Sequence, residues 1–183
     1  MLPCKRARSP SSSSSSSSAA ESAPLVQLDG GVPMPPKTVS LWKDGRLTDI
    51  TVKVEGSCFS AHKLVLASGA EYFERLFDST MSDANNPTLA EFPASIFEPL
   101  LEFLYQGSCS VEEGLLTSLL RAANYLGVKP LELSICAALQ IRIMPSNAFD
   151  LWAMAEQLTM TLLEEATKRF ALERFEELGD TVG

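Results

Sequence analysis

One histidine and four cysteines are all that this chain of 183 residues offers for metal or nucleophile chemistry. His62 must therefore serve any histidine-dependent centre alone. The cysteines stand at positions 4, 58, 109 and 136 with no CxxC pair, so a tetrahedral zinc site, which needs four converging ligands, has no local framework. Cys58 and His62 are close in sequence, but a strand-to-helix junction between them takes them off a shared helical face. The GxGxxG, GxxxxGK(S/T) and GxSxG patterns are missing, which removes the dinucleotide fingerprint, the phosphate loop and the nucleophile elbow. The expected role of His62 is structural, a ring packed and hydrogen-bonded at a helix start. A non-enzyme without metal or cofactor is the expectation.

Long apolar runs are missing as well. No stretch reaches the roughly 18 uninterrupted apolar residues of a membrane span. The N-terminus lacks the apolar segment of about 7 to 15 residues that a signal peptide needs. With the cysteines expected as buried free thiols, a reducing compartment, cytosol or nucleus, follows.

Basic charge is scarce where it would matter for nucleic acid. The net charge is -8, and Lys5, Arg6, Arg8 and Lys37 face only Glu21 and Asp29 in the first forty residues, leaving 11 of the 15 basic and 21 of the 23 acidic residues for the remainder. Phosphate backbones repel such a surface, so direct DNA or RNA binding by it is not expected. With 45% hydrophobic residues the chain can bury one sizeable core, or one domain plus an appendage.

Residues 1–36 are rich in serine and proline, with a run from Ser11 to Ser18, and are expected to be disordered. Lys5-Arg6-x-Arg8 is a weak nuclear-import signal, and a solvated tail is the reading adopted. From Lys37 to Leu47 an amphipathic element ends near Asp44-Gly45. Its Trp42 either caps the core or belongs to an interface.

Ile50, Val52 and Val54 alternate with Thr51, Lys53 and Glu55, the period of a half-buried strand. Glu55-Gly56 turns the chain into a second strand through Ser57, Cys58, Phe59 and Ser60. After His62 the period becomes helical. Leu64, Val65 and Leu66 pack one short helix, Ser68-Gly69 breaks it, and Tyr72, Phe73, Leu76 and Phe77 form the buried face of another. A polar loop follows, with the turn signal Asn85-Asn86-Pro87, then a brief strand at 88–92.

Ile96, Phe97, Leu100, Leu101, Leu104 and Tyr105 share a helical face, with Pro99 expected in the first turn or so and Gly107 as the stop. Cys109-Ser110-Val111 reads as a short strand. Two helices follow, one from Leu115 to a stop at Gly127 and one from Pro130 to about Ile143. Pro145 then breaks the chain, and Ser146 or Asn147 can cap the next helix. Ala148, Leu151, Trp152 and Ala155 mark that helix, and Leu162, Leu163, Ala166, Phe170 and Phe175 its partner. A small sheet followed by helices makes the fold class α+β.

Asp49, Phe59-x-Ala61-His62-Lys63, Val65-Leu66-Ala67, Tyr72-Phe73 and Phe97-x-x-Leu100-Leu101-x-Phe103-x-Tyr105-x-Gly107 form an ordered string that resembles the BTB (POZ) domain family. The helix pair after Pro145 resembles the start of the BACK domain that follows BTB in kelch-type adaptors. The likeness covers roughly Leu41 to Leu178 and includes no kelch propeller. It divides the chain into a tail at 1–36, a BTB/POZ fold at 37–143, with its small mixed sheet flanked by helices, and a partial BACK helix pair at 144–183.

The resemblance implies a protein-interaction module. It places Val39, Leu41, Trp42, Leu47, Asp49 and Lys63 at a two-fold dimer interface, with Asp49 and Lys63 as a partly buried pair. It also implies that Met81-Ser82-Asp83 is the hydrophobic-x-acid motif by which kelch-type BTB domains engage cullin-3, with aspartate in place of the usual glutamate. Leu151 and Trp152 would add a second cullin surface. Tyr125 lies at the same edge in family members, although a core role is the expected one.

The function expected on these grounds is a dimeric adaptor joining an unidentified client to a cullin-3 RING ubiquitin ligase. Two alternatives stay open. One is a self-associating scaffold or transcriptional co-regulator that does not bind cullin. The other is an inhibitory short form pairing with longer BTB proteins as a heterodimer.

Overall fold

A computed structural model describes residues 5–6, 24–78 and 86–179, with the backbone alone for 5–6 and 174–179. Its elements run β1 (Lys5–Arg6), β2 (Leu25–Asp29), α1 (Pro36–Lys43), β3 (Ile50–Val54), β4 (Ser57–Ala61), α2 (Lys63–Gly69), α3 (Glu71–Asp78), β5 (Thr88–Leu89), α4 (Ala94–Gln106) and β6 (Ser108–Glu112). A 3-10 turn at Glu113–Leu115 leads into α5 (Leu116–Leu126), α6 (Lys129–Gln140), α7 (Ala148–Gln157) and α8 (Thr161–Gly179). The α+β class read from the sequence is the one observed.

The β3–β4 hairpin forms where its alternation places it. Glu55 and Gly56 hold φ of 47° and 79°, the two left-handed positions that match a two-residue turn to strand twist. Ile50 pairs with Ala61 and Val54 with Ser57 across the antiparallel ladder, and Val52, Val54 and Ala61 are fully buried. Thr88 and Leu89 add a short parallel strand beside Lys53 and Val54. The sheet order is β1-β4-β3-β5.

A second, two-stranded sheet overturns the disordered reading of residues 1–36 over its C-terminal part. Leu25–Asp29 runs antiparallel to Ser108–Glu112, from Leu25 opposite Glu112 to Asp29 opposite Ser108. Val26 and Leu28 enter the core at 5% and 1% exposure, each contributing about 1.5–3 kcal/mol by burial. The serine- and proline-rich composition around this alternation hid it. Lys5–Arg6 is also strand, parallel to Ser57 and Cys58.

Gly107 is the left-handed stop of α4, with φ 73°. The chain between β2 and α1 crosses it so closely that a Cβ on Gly107 would sit 2.7 Å from the Gly31 carbonyl oxygen. The Gly31 N–H donates to the Gly107 carbonyl there at 2.9 Å. Pro99 lies early in the second turn of α4, so the bond to the Ser95 carbonyl is lost. Ser95 is exposed, which leaves that carbonyl to water.

Helices α2 to α6 enclose one apolar core whose largest fully buried side chains are Tyr105, Phe73 and Phe97. Leu64, expected inside, is 80% exposed. Phe73 carries the burial of α3, with Tyr72, Leu76 and Phe77 half-buried around it. Gly127 stops α5 in the left-handed region at φ 72°.

Asn147 precedes α7 without capping it by its side chain. Its Oδ1 accepts from the Met144 N–H at 2.8 Å and its Nδ2 donates to the Arg142 carbonyl at 3.0 Å, so the amide holds the turn before the helix instead. The α7–α8 pair is tied to the preceding helices by Arg121 donating to Gln157 at 3.2 Å and Gln140 to the Leu162 carbonyl at 3.0 Å. Cys109 and Cys136 are the buried free thiols expected. Cys58, in β4, departs from that expectation: it is disulfide-bonded.

Candidate protein-interaction surfaces

His62 ends β4 and precedes α2, and its backbone N–H donates to the Tyr105 hydroxyl at 2.9 Å. The same hydroxyl lies 2.8 Å from His62 Nδ1, while Nε2 lies 3.3 Å from the Arg46 carbonyl. A carbonyl only accepts, so Nε2 carries the proton and the Tyr105 O–H donates to Nδ1. Burial chiefly, with Asp49 adding to it against the His62 N–H, pushes the Tyr105 phenol up to about 12, so it keeps the proton it donates. Both ring nitrogens of the sole histidine are thus engaged by the protein, in the structural role read from the sequence.

Trp42 stacks on the other side of this group. Its ring lies 4.3 Å from that of Tyr105 with the planes 8° apart, so α1 is seated on the end of α4 through an aromatic pair. The Tyr105 carbonyl also accepts from the Met34 N–H at 2.9 Å. Of the two roles open to Trp42, the monomer uses it as a half-buried cap on the core.

Around that cap lie the other residues assigned to a dimer interface. Val39 packs against the core, Leu41 is half-buried and Leu47 is 78% exposed. Leu47 is held at φ 57°, a backbone region that branched apolar residues rarely enter. The sequence missed Leu64. Leu47 and Leu64 flank the His62–Arg46 contact, and both present leucine side chains to solvent.

Asp49 meets Lys63 at its backbone, and the Asp49 side chain is exposed rather than partly buried. The exposed Asp49 carboxylate accepts from the Lys63 backbone N–H at 2.7 Å, satisfying the first donor of α2 in the manner of an N-cap. The Lys63 ammonium lies over the Phe77 ring, 5.6 Å from its centroid. The reason is geometric: the helix N-terminus reaches the carboxylate first and has partial positive charge of its own.

A second surface gathers at α3, α5 and the residues before α4. Tyr125 is 47% exposed, which corrects its expected core role. Its ring lies 5.5 Å from Tyr72 and 6.0 Å from Phe92. Met81 and Asp83, the candidate cullin residues following α3, lie outside the described residues. Leu151 is buried at 3% exposure, so it packs inward and cannot meet a partner; the helical period places it with Ala148, Met154 and Ala155 on the inner face of α7.

Trp152, one residue on, is half-buried. Its Nε1 is buried without a hydrogen-bond partner, Lys168 Nζ lies 5.7 Å from its ring and Phe149 lies 6.5 Å away at 61% exposure. Phe149 was not singled out in the sequence, although an aromatic three residues before Trp152 on an amphipathic helix signals a shared side. The neighbouring Lys168 ammonium is pushed up by its hydrogen bond to Glu164.

Alongside β4, α1, α4 and the β2–β6 ladder runs an open groove of about 830 Å³. Asp44, Glu98, Glu102 and Glu112 line it against Lys43 alone. Beneath it the Cys109 thiol is pushed up to about 12, first by burial and then by Glu102 and Asp29. Among the described residues no group of three His, Cys, Asp or Glu is arranged to hold a metal, and no helix is long and apolar enough to cross a membrane.

A family model described as BTB/POZ domain matches residues 39–142. Kelch-like protein 8 of Mus musculus is 31% identical over 142 residues, which cover 76% of this chain and 23% of that protein. Kelch-like protein 17 of Homo sapiens is 30% identical over 139 residues, 75% and 22% of the two chains. The chain therefore spans less than a quarter of the length of these curated relatives. Among solved structures, the BTB domain of zebrafish PATZ1 aligns with a TM-score of 0.52 at 27% identity, covering 57% of this chain and 86% of that one.

Proposed function

The chain belongs to the BTB/POZ domain family, and from that premise we propose that it is a dimeric adaptor that brings a client protein to a cullin-3 RING ubiquitin ligase. The observation that carries this reading is the reach of the Kelch-like similarity. It runs over 142 residues, further than the 39–142 span of the BTB/POZ model, and α7 and α8 pack firmly on α5 and α6 beyond it.

The adaptor does no chemistry. Its contribution is to raise the effective concentration of client and ligase, and pairing two chains doubles the valency. Leu47, Leu64 and the α1 helix seated by Trp42 supply the apolar face for the second copy. The Tyr72–Tyr125–Phe92 cluster, with Met81 and Asp83 from the segment after α3, supplies the cullin face. Trp152 and Phe149 on α7 take the place of Leu151 in the adjoining surface.

Light scattering on the full chain gives the mass in solution, and titration with a cullin-3 N-terminal region follows binding. A dimer that binds cullin-3 at micromolar or lower Kd, weakened at least about tenfold by Met81→Ala, fits the proposal. A monomer at high concentration removes the dimer. A dimer that ignores cullin-3 leaves a self-associating scaffold in its place.

A further inference from the structure

Among the described residues one buried side-chain nitrogen has no hydrogen-bond partner: Nε1 of Trp152, in α7. An indole N–H only donates. Burying it away from both water and an acceptor costs free energy, and folded chains seldom leave such a group unmatched without a use for it. The packing of α7 supplies no such use, because its buried residues are Ala148, Leu151, Met154 and Ala155. For the monomer alone a ring without an N–H would serve as well.

Around that ring lies an open apolar face. Phe149, three residues earlier and 61% exposed, has its ring 6.5 Å from that of Trp152, and Ala153 beside them is exposed. Positions 149, 152, 153 and 156 share one side of a helix, and the last is the exposed Glu156. The Lys168 ammonium from α8 lies over the Trp152 ring, 5.7 Å from its centroid. Its side chain is 48% exposed and tied by an ion pair to Glu164 on the same helix. A surface pair of this kind holds a lysine weakly, so Lys168 is a cover free to swing aside. Glu164, Glu156 and Glu165 all act on that ammonium. Three acids around one cation leave the rim negative, so a carboxylate brought to the indole meets repulsion. A neutral acceptor meets none.

We propose that Trp152 Nε1 donates to a main-chain carbonyl of a partner segment that rests an apolar side chain on Phe149 and Ala153, once Lys168 has moved aside. This rests on the adaptor reading and deepens it, by naming the chemistry that the α7 surface recognises. The face favours an apolar segment with an unpaired carbonyl and disfavours an acidic one. Because the N–H has already lost its water in the free chain, the bond formed on binding is not offset by desolvation of the donor. An aromatic anchor desolvated in this way is where interface energy concentrates.

The test replaces Trp152 in the full chain by benzothienylalanine, which keeps the bicyclic ring and exchanges the N–H for sulfur. Urea denaturation of the chain alone should show no loss of stability, because no internal bond is removed. Titration with the cullin-3 N-terminal region should show binding weakened about tenfold relative to the unaltered chain. The factor should be the same in about 0.1 M and about 0.5 M salt, since the acceptor carries no charge. Lys168→Ala, which removes the cover, should not weaken binding.

A fall in stability on the ring replacement reveals an internal acceptor and overturns the proposal. Unchanged affinity for a cullin-3 region that the unaltered chain binds overturns it too, and leaves the adaptor reading standing. A factor that shrinks in high salt assigns the acceptor to a carboxylate and refutes the carbonyl. If the unaltered chain does not bind cullin-3 at all, the adaptor reading falls and this inference falls with it.

Discussion

Replacing Tyr105 by phenylalanine keeps the buried ring and its stack on Trp42 but removes one oxygen. That oxygen serves two partners, accepting the His62 N–H at 2.9 Å and donating to Nδ1 at 2.8 Å. Each bond is worth about 0.5–1.5 kcal/mol net, and leaving the backbone N–H orphaned costs about 1–3 kcal/mol, so a loss of about 2–3 kcal/mol is expected. No cavity term is added, because only the hydroxyl is lost from a ring that stays in place. In a domain of this size the melting temperature should fall by about 4–12 °C.

Urea denaturation should show the midpoint shifted with the slope unchanged. In a His62→Ala background the same substitution should cost about 1 kcal/mol less, since the Nδ1 bond is already gone while the backbone bond persists. A loss below about 0.5 kcal/mol, or no coupling to His62, would refute the network. The phenol also carries a pH signature. Unfolded tyrosine titrates near 10 and folded Tyr105 at about 12, so the unfolded chain loses this proton first as pH rises. The associated stability is intact below pH 10 and disappears between about pH 10 and 12. Cys109, raised to about 12 from 9.0, adds to that alkaline loss. Tyr105→Phe should make the decline shallower.

Leu28→Ala tests β2, since a fully buried leucine there should cost about 2–5 kcal/mol by equilibrium unfolding, whereas a loose tail would leave stability unchanged. Gly107→Ala forces an L residue into φ 73° and sets its Cβ against the Gly31 carbonyl; a loss of about 2–4 kcal/mol is expected, with faster amide exchange in Leu25–Asp29. Gly114→Ala, where no atom lies within 4 Å of the new Cβ, should change stability by no more than about 1 kcal/mol in the same assay. Asp49→Ala removes the acceptor at the start of α2 and should cost about 0.5–2 kcal/mol in the thermal melt, and an unchanged melting temperature would count against that cap.

The hairpin at 50–61 was legible because its period and its Glu55-Gly56 turn are local facts, and the left-handed stops at Gly107 and Gly127 were legible for the same reason. β2 was not, because its alternation spans five residues inside a stretch whose composition argues against order, and its partner strand lies far along the chain. The Trp42–Tyr105–His62 group was half legible. Each residue could be called packed, but a bond between residues 43 apart cannot be read from periodicity. Leu151 and Trp152 show a further limit: adjacent positions on one helix stand about 100° apart, and only the packing of α7 decides that Leu151 is buried while Trp152 lies half-buried at the edge.

The Gln27–Ser110 contact, 83 residues apart, has a consequence during synthesis. At about 5–20 residues per second, the ribosome releases β2 roughly 4 to 17 s before the strand that covers it exists. For that interval the nascent polypeptide holds Val26 and Leu28 in water beside an unmatched backbone edge. Chaperone demand during translation should therefore be set by β2, while the hairpin at 50–61, complete within a dozen residues, needs no such waiting.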